Sequence, residues 1–256
     1  MDTKVKGIII KLIDYKDSDK LAQIFSLEQG IITAKFTGVK KEKAKFKAVA
    51  QPFVFADFVI NEKNDHRTIT SVDIIDSFDR LLSNYSRMMV GYVILDMIRR
   101  IIPEQKSETD IFLLTLSTLK RLETEDQNSL LVDYIIKFIS LSGLAIEFPK
   151  TKYVYLDQLT GNFSTTPSSS SIQIDKKVYS YIYQIANTEA IEFKEESNRK
   201  KEDDQTLEKI NYADSTTPSE DKNDAFSITT IKQALRLMHN IIYLKFGTDI
   251  KSFDYL

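Results

Sequence analysis

The first third of the chain carries short runs of β-branched and aromatic residues, separated by polar or glycine-containing breaks. Such runs predict β-strands. The five predicted strands are Val5–Ile13, Leu21–Leu27, Ile31–Gly38, Phe53–Ile60 and Thr68–Ile75. A five-stranded unit of this size favours a small closed barrel such as the OB-fold, because closure removes exposed strand edges. An SH3-like barrel fits the same pattern.

After Asp76 the apolar positions recur every 3.6 residues or so, which is the period of a helix. One helix is predicted to begin with capping by Asp76 or Ser77 and to end near Pro103. A second predicted helix starts at Ser107, and a third contains Leu131–Phe138 and ends at Gly143. Two more are predicted at Asp175–Asn187 and Ile228–Phe246. The predicted fold class is therefore α+β, with an OB-fold barrel at residues 1–76 and a mainly helical body at 77–256.

Two stretches of the helical body lack this periodicity. Residues 149–171 are mixed in character, with a short strand-like run at Tyr153–Leu156, and are predicted to be irregular. Residues 189–224 hold twelve acidic and six basic residues and few large apolar ones. Such a segment buries too little apolar surface to offset the entropy lost on ordering, so we predict a mobile acidic insertion.

Composition narrows the possible functions. The chain has no cysteine and only two histidines, which excludes disulfides, thiolate catalysis and zinc sites with sulfur ligands. No apolar run approaches the roughly 20 residues that a membrane span needs, and no secretory signal is recognisable. A cytoplasmic protein without a membrane partner is expected. The net charge of -2 is uninformative by itself, because local clusters decide which partners bind.

The strongest local feature is a basic cluster after the third predicted strand. Residues 40–47 contain five lysines and one glutamate, and Lys35 precedes them. The cluster consists of Lys35, Lys40, Lys41, Lys43, Lys45 and Lys47. Ammonium groups at this density neutralise phosphates and release counterions, so the cluster is a candidate DNA-binding site. The alternative is a solvated loop that happens to be basic. Position on an OB-fold favours the first interpretation, since that fold tracks a single strand with a positive groove.

Aromatic residues near the lysines are candidates for base stacking, in particular Phe36 and Phe46. For each of them separately, packing in the core is the favoured explanation. Asp14, Asp17 and Asp19 can be interpreted as a divalent-cation site, although aspartates before a strand also favour a turn through side-chain hydrogen bonds. No phosphate loop or nucleophile motif is present, so neither a cofactor nor catalysis is expected.

Several segments, in a fixed order, resemble the bacterial RecO family of DNA repair and recombination mediators. They are Gly7–Lys11, Asp14–Lys20, Gly38–Phe46, Gln51–Phe53, Ser77–Phe78, Leu141–Leu144 and Gly247–Ser252. Many members of that family carry a structural four-cysteine zinc module where this chain has residues 149–171. This chain would then be a zinc-less member, and apolar packing by Tyr153, Tyr155, Leu156 and Phe163 could replace the metal.

The resemblance implies a non-enzymatic, nucleoid-associated protein that binds single- and double-stranded DNA and anneals complementary strands. It further implies work with RecR to load RecA onto DNA coated by single-stranded-DNA-binding protein. The acidic, apolar C-terminal tail of that protein would dock on the helical body, where the candidate cations are Arg99, Arg100, Lys120 and Arg121. A protein-only adaptor with a purely structural barrel is the alternative, and a metal-dependent nuclease using Asp14–Asp19 is a third hypothesis.

Overall fold

The computed structural model describes residues 2–64, 66–151, 153–188 and 226–256. The strands are β1 (Asp2–Tyr15), β2 (Asp19–Ser26), β3 (Gly30–Phe36), β4 (Phe55–Lys63), β5 (His66–Asp76), β6 (Tyr155–Asp157), β7 (Phe163–Ser164) and β8 (Ser171–Gln173). The helices are α1 (Asp79–Leu82), α2 (Tyr85–Ile101), α3 (Thr109–Arg121), α4 (Gln127–Leu141), α5 (Lys176–Thr188) and α6 (Ile228–Phe246), followed by a 3-10 helix at Lys251–Tyr255. No described helix is long and apolar enough to cross a membrane.

The first five strands close into a barrel in the order β1-β2-β3-β5-β4. All neighbours are antiparallel except β3 and β5, which meet in parallel at Lys35 and Thr68. Each strand turns alternate residues inward, so Ile32, Ala34 and Phe36 of β3 all lie in the barrel core. This five-stranded closed barrel, followed by helices, confirms the predicted OB-fold and α+β class.

By their contacts, the described residues fall into two compact units, Met1–Ile146 with Met238–Leu256 and Glu147–Leu237. In the first unit, helix α3 packs on α4, and the C-terminal 3-10 helix lies against α2. Phe25 and Phe55 of the barrel strands contact Phe112 of α3, with ring centroids 5.4 and 6.2 Å apart. Neither unit ends at residue 76, where β5 ends, and the domain division proposed there stays a prediction.

Two predicted helix starts are wrong. The helix expected from Asp76 to Pro103 is broken at Ser83 and Asn84, because the Asn84 side chain accepts a hydrogen bond from the Arg87 amide and begins α2 anew. Asp76 instead accepts from the amide of Phe78. Ser107 does not cap α3, which begins at Thr109, since its hydroxyl donates to the carbonyl of Leu27.

The second unit contains a small sheet in the order β7-β6-β8. Leu156 and Phe163 are buried, whereas Tyr153 is exposed and Tyr155 half-buried. That their packing takes the place of a metal stays a prediction. The Phe163 ring lies 5.5 Å from that of Phe148 and 5.1 Å from that of Tyr179 on α5. This aromatic cluster organises the segment predicted to be irregular. The predicted acidic insertion at 189–224 lies outside the described residues.

Candidate nucleic-acid interface

The predicted basic cluster lies mostly on one segment, residues 37–54 between β3 and β4, which we call the lysine loop. Its backbone forms successive turns, with amides of Lys41, Ala44 and Lys47 bonded three residues back. Val39 and Ala50 are buried against the barrel core, and Phe46 and Val49 pack partly against it. The loop is therefore amphipathic, with apolar residues holding it to the barrel.

The lysines between these anchors point to solvent. Lys41, Lys43 and Lys47 are exposed and form no ion pair within the described part of the chain. Lys35 precedes the loop on β3, where strand alternation places it opposite the inward-facing Ala34 and Phe36. Cations free of internal partners can neutralise phosphates without first breaking a bond inside the protein.

Lys40 and Lys45 are held by other parts of the barrel. The Lys40 ammonium lies 3.1 Å from a carboxylate oxygen of Asp14 and donates to the Lys16 carbonyl. The Lys45 ammonium donates to the carbonyl of Thr70 and lies 4.8 Å from the centroid of the Phe46 ring. To bind Lys40 or Lys45, phosphate would have to compete with these contacts.

The β1–β2 turn fixes the start of the lysine loop. Asp19 is only 8% exposed, and its carboxylate accepts a 2.6 Å hydrogen bond from the amide of Gly38, which has a φ of 66°. The Lys40 amide donates to the carbonyl of Ser18. The hydrogen bond from Gly38 is the main cause that lowers the pKa of Asp19, and the Lys35 charge adds to it.

These contacts give the aspartates a positioning role that the sequence did not reveal. Asp14 and Asp19 bind loop atoms, and Asp17 is exposed between them. Within the described residues no group of three or more carboxylates or histidines could hold a metal ion. The turn interpretation therefore explains the structure of this segment.

The stacking role expected for Phe36 is wrong for this conformation. Its side chain is fully buried, since it alternates inward with Ile32 and Ala34. Phe46 is half-buried, lies 5.7 Å from Phe36 and has Lys45 over its ring. Stacking by Phe46 stays a prediction.

The four candidate cations of the helical body all have internal partners. Arg99 and Arg100 both bind Asp96, Lys120 binds Asp76 and Glu123, and Arg121 binds Glu125. Burial opposes ionisation of Asp96, but the hydrogen bonds from the two arginines outweigh it and lower the pKa of that carboxyl. A partner carboxylate at any of these cations would compete with an existing ion pair.

A groove of about 790 Å³ opens beside the lysine loop, between β1, helix α2 and the C-terminal 3-10 helix. We call it the tyrosine groove, because Tyr85, Tyr92 and Tyr255 line it. Tyr85 is 67% exposed and Tyr255 69%. Lys11 and Lys20 bring positive charge from the barrel, and residues 50–52 at the end of the lysine loop form part of its wall. This groove could not be predicted from the sequence, since its α2 face has the same helical periodicity as a core face.

A closed five-stranded barrel with an anchored basic loop, extended by helices, defines an OB-fold protein with a cationic surface on its barrel. The chain belongs to the RecO family. The family model described as "Recombination protein O N terminal" matches residues 1–78, and "Recombination protein O C terminal" matches residues 82–200.

Curated relatives carry the same family name. The chain is 30% identical over 149 residues to "DNA repair protein RecO" of Clostridium novyi, covering 57% of this chain and 58% of that protein. Over 201 residues it is 21% identical to the protein of that name from Exiguobacterium sp., covering 75% of this chain and 81% of the relative. Over 194 residues it is 23% identical to the one from Clostridium perfringens, covering 71% and 79%. The first of these matches thus spans less than two thirds of the relative.

Proposed function

We propose that this protein is a DNA repair and recombination mediator that binds single- and double-stranded DNA and anneals complementary strands without covalent chemistry. Membership of the RecO family and the relatives' name support a role in repair. The observation that carries DNA binding is the lysine loop, with three exposed ammonium groups that have no ion-pair partner among the described residues, on a segment anchored to an OB-fold barrel. Two strands screened by the same cationic surface repel each other less and can pair.

The lysines of the loop differ in whether they have an internal partner, and we infer that they bind phosphate in two steps. Lys41, Lys43 and Lys47 meet phosphate first, because nothing inside the described chain holds them. Lys40 and Lys45 join only when phosphate replaces Asp14 or the Thr70 carbonyl. Such weak, graded contacts suit annealing, since a strand must be held and then released into the duplex.

Annealing of complementary oligonucleotides, followed by fluorescence, tests the proposal. We expect the wild-type protein to accelerate annealing, and the quadruple variant Lys40→Glu, Lys41→Glu, Lys43→Glu and Lys45→Glu to lose roughly tenfold or more of that rate. The matched control reverses four exposed lysines elsewhere, Lys150, Lys176, Lys177 and Lys232. A quadruple variant as active as the control, or a wild-type protein without DNA affinity, would contradict the proposal and favour the adaptor hypothesis.

The proposal extends to partners of the annealing reaction. With RecR, the protein would help load RecA onto DNA coated by single-stranded-DNA-binding protein. The acidic tail of that coating protein would dock at Arg99, Arg100, Lys120 or Arg121 by replacing an internal carboxylate. Titrating a labelled tail peptide against Arg100→Gln and Lys120→Gln tests this, and an unchanged Kd for both variants would place the tail elsewhere.

A further inference from the structure

We propose that the tyrosine groove receives the bases of single-stranded DNA whose backbone is held by the lysine loop, with Tyr85 and Tyr255 as stacking platforms. This inference rests on the proposed function and deepens it, because it names where bases, as opposed to phosphates, are bound. It also replaces Phe36, which lies in the barrel core, as a platform for a base.

The exposure of the two tyrosines is the first argument. A tyrosine ring normally buries much of its apolar surface, yet Tyr85 and Tyr255, which both line the groove, are about two thirds exposed. Tyr92, which also lines the groove, packs edge-on against Phe53 with ring centroids 4.9 Å apart. One tyrosine is thus held by the core, and two are free to pack against a planar ligand.

The charge distribution is the second argument. Lys11 and Lys20 line the groove from β1 and β2 and form no ion pair among the described residues. The third cation, Arg99, is already bound to Asp96. Two free ammonium groups beside apolar rings are complementary to a strand that alternates phosphates and flat bases.

Position favours a nucleic acid over an acidic peptide. The lysine loop runs directly into the groove wall at Ala50, Gln51 and Pro52, so the exposed lysines and the groove are joined by one segment of the chain. A peptide carboxylate would have to displace Asp96 from Arg99, whereas Lys11 and Lys20 form no ion pair among the described residues and can meet phosphate without such an exchange. The volume, about 790 Å³, lies in the range of roughly 300–1,000 Å³ that ligand sites usually have.

The same arrangement separates single strands from duplexes. Bases of a duplex are stacked on each other and cannot enter the groove, whereas phosphates of either form reach the lysine loop. We therefore expect substitutions in the groove to weaken single-strand binding selectively, and substitutions in the loop to weaken both.

Anisotropy titrations of the full chain with a labelled oligothymidine and with a duplex test the inference. The double variant Tyr85→Ala with Tyr255→Ala should bind the single strand about tenfold or more weakly, because base stacking on both rings is lost. Its duplex affinity should stay within about twofold. Tyr85→Phe with Tyr255→Phe keeps both rings and should bind like wild type, and Tyr243→Ala removes an exposed tyrosine that does not line the groove.

The outcomes separate this inference from the function beneath it. If wild type binds neither DNA form, the proposed function fails. If wild type binds the single strand and the double alanine variant matches it, the groove inference alone is wrong. Photocrosslinking with a 5-iodouracil oligonucleotide gives a second readout, and adducts on Tyr85 or Tyr255 support the inference. Adducts confined to other residues overturn it. An acidic peptide that crosslinks in the groove without displacing DNA overturns it as well.

Discussion

The salt dependence of DNA binding should be set by the number of lysines that meet phosphate directly. Each phosphate neutralised on a single strand contributes about 0.7 to the slope of log affinity against log salt concentration. If only Lys41, Lys43 and Lys47 take part, the slope is about -2, and if all six cluster lysines do, it is about -4. Between about 50 and about 200 mM salt, affinity then falls by about 20-fold in the first case and about 300-fold in the second.

The perturbation is the triple variant Lys41→Gln, Lys43→Gln and Lys47→Gln. Glutamine keeps a polar side chain of similar reach but removes the charge, and these three residues are exposed, so the fold should be unaffected. We expect the slope to become less negative by about 2. The apolar anchors of the loop remain, so the change reports charge and not loss of the loop.

Fluorescence anisotropy with a labelled single strand, repeated at several potassium chloride concentrations, measures the slope. The matched control is Lys150→Gln, Lys176→Gln and Lys177→Gln, which removes the same charge from exposed positions outside the cluster. If the control changes the slope as much as the triple variant does, net charge governs binding and the reasoning from the loop is refuted.

Three further predictions concern the scaffold. Asp19→Asn should lower the Tm at neutral pH. Because the pKa of Asp19 in the folded state is below its ordinary value, the Tm difference from wild type should persist at pH values above the ordinary pKa and shrink as the pH falls through the lowered pKa. A Tm difference that does not change with pH would contradict this. Gly30→Ala should destabilise by about 1–3 kcal/mol or more in urea unfolding, because φ is 69° and the new methyl would overlap the Lys106 carbonyl. Phe163→Ala should destabilise the unit at residues 147–237 by about 3 kcal/mol, measured by hydrogen exchange, whereas Phe163→Tyr and a metal chelator should have little effect.

The barrel was predictable because each strand buries one side of an alternating pattern. In β3 that alternation also assigns the side of each residue. Lys35 and Phe36 are neighbours and must point oppositely, and Phe36 shares its side with Ala34 and Ile32. The strand pattern therefore contained the signal that Phe36 is a core residue.

Other features depend on contacts that no local pattern carries. The break before α2 leaves the apolar period intact, and only Asn84 as a capping residue indicates it. Asp19 anchors the lysine loop by accepting a hydrogen bond from the backbone amide of Gly38, nineteen positions away. Because the donor is a backbone group, the side-chain pattern does not indicate this contact. The tyrosine groove requires that α2 and the C-terminal residues meet beside the barrel, where the Ser252 hydroxyl donates to Asp96.

We expect the small sheet of the second unit to fold independently of metal supply, because the aromatic cluster around Phe163 packs against it. A segment organised by thiolates around an ion loses its structure when oxidants such as peroxide attack the sulfur or when the metal is scarce. Phe148, Phe163 and Tyr179 hold their segment by ring packing, and the chain has no cysteine to oxidise. We therefore expect this part of the protein to keep its fold during the oxidative damage that creates broken DNA.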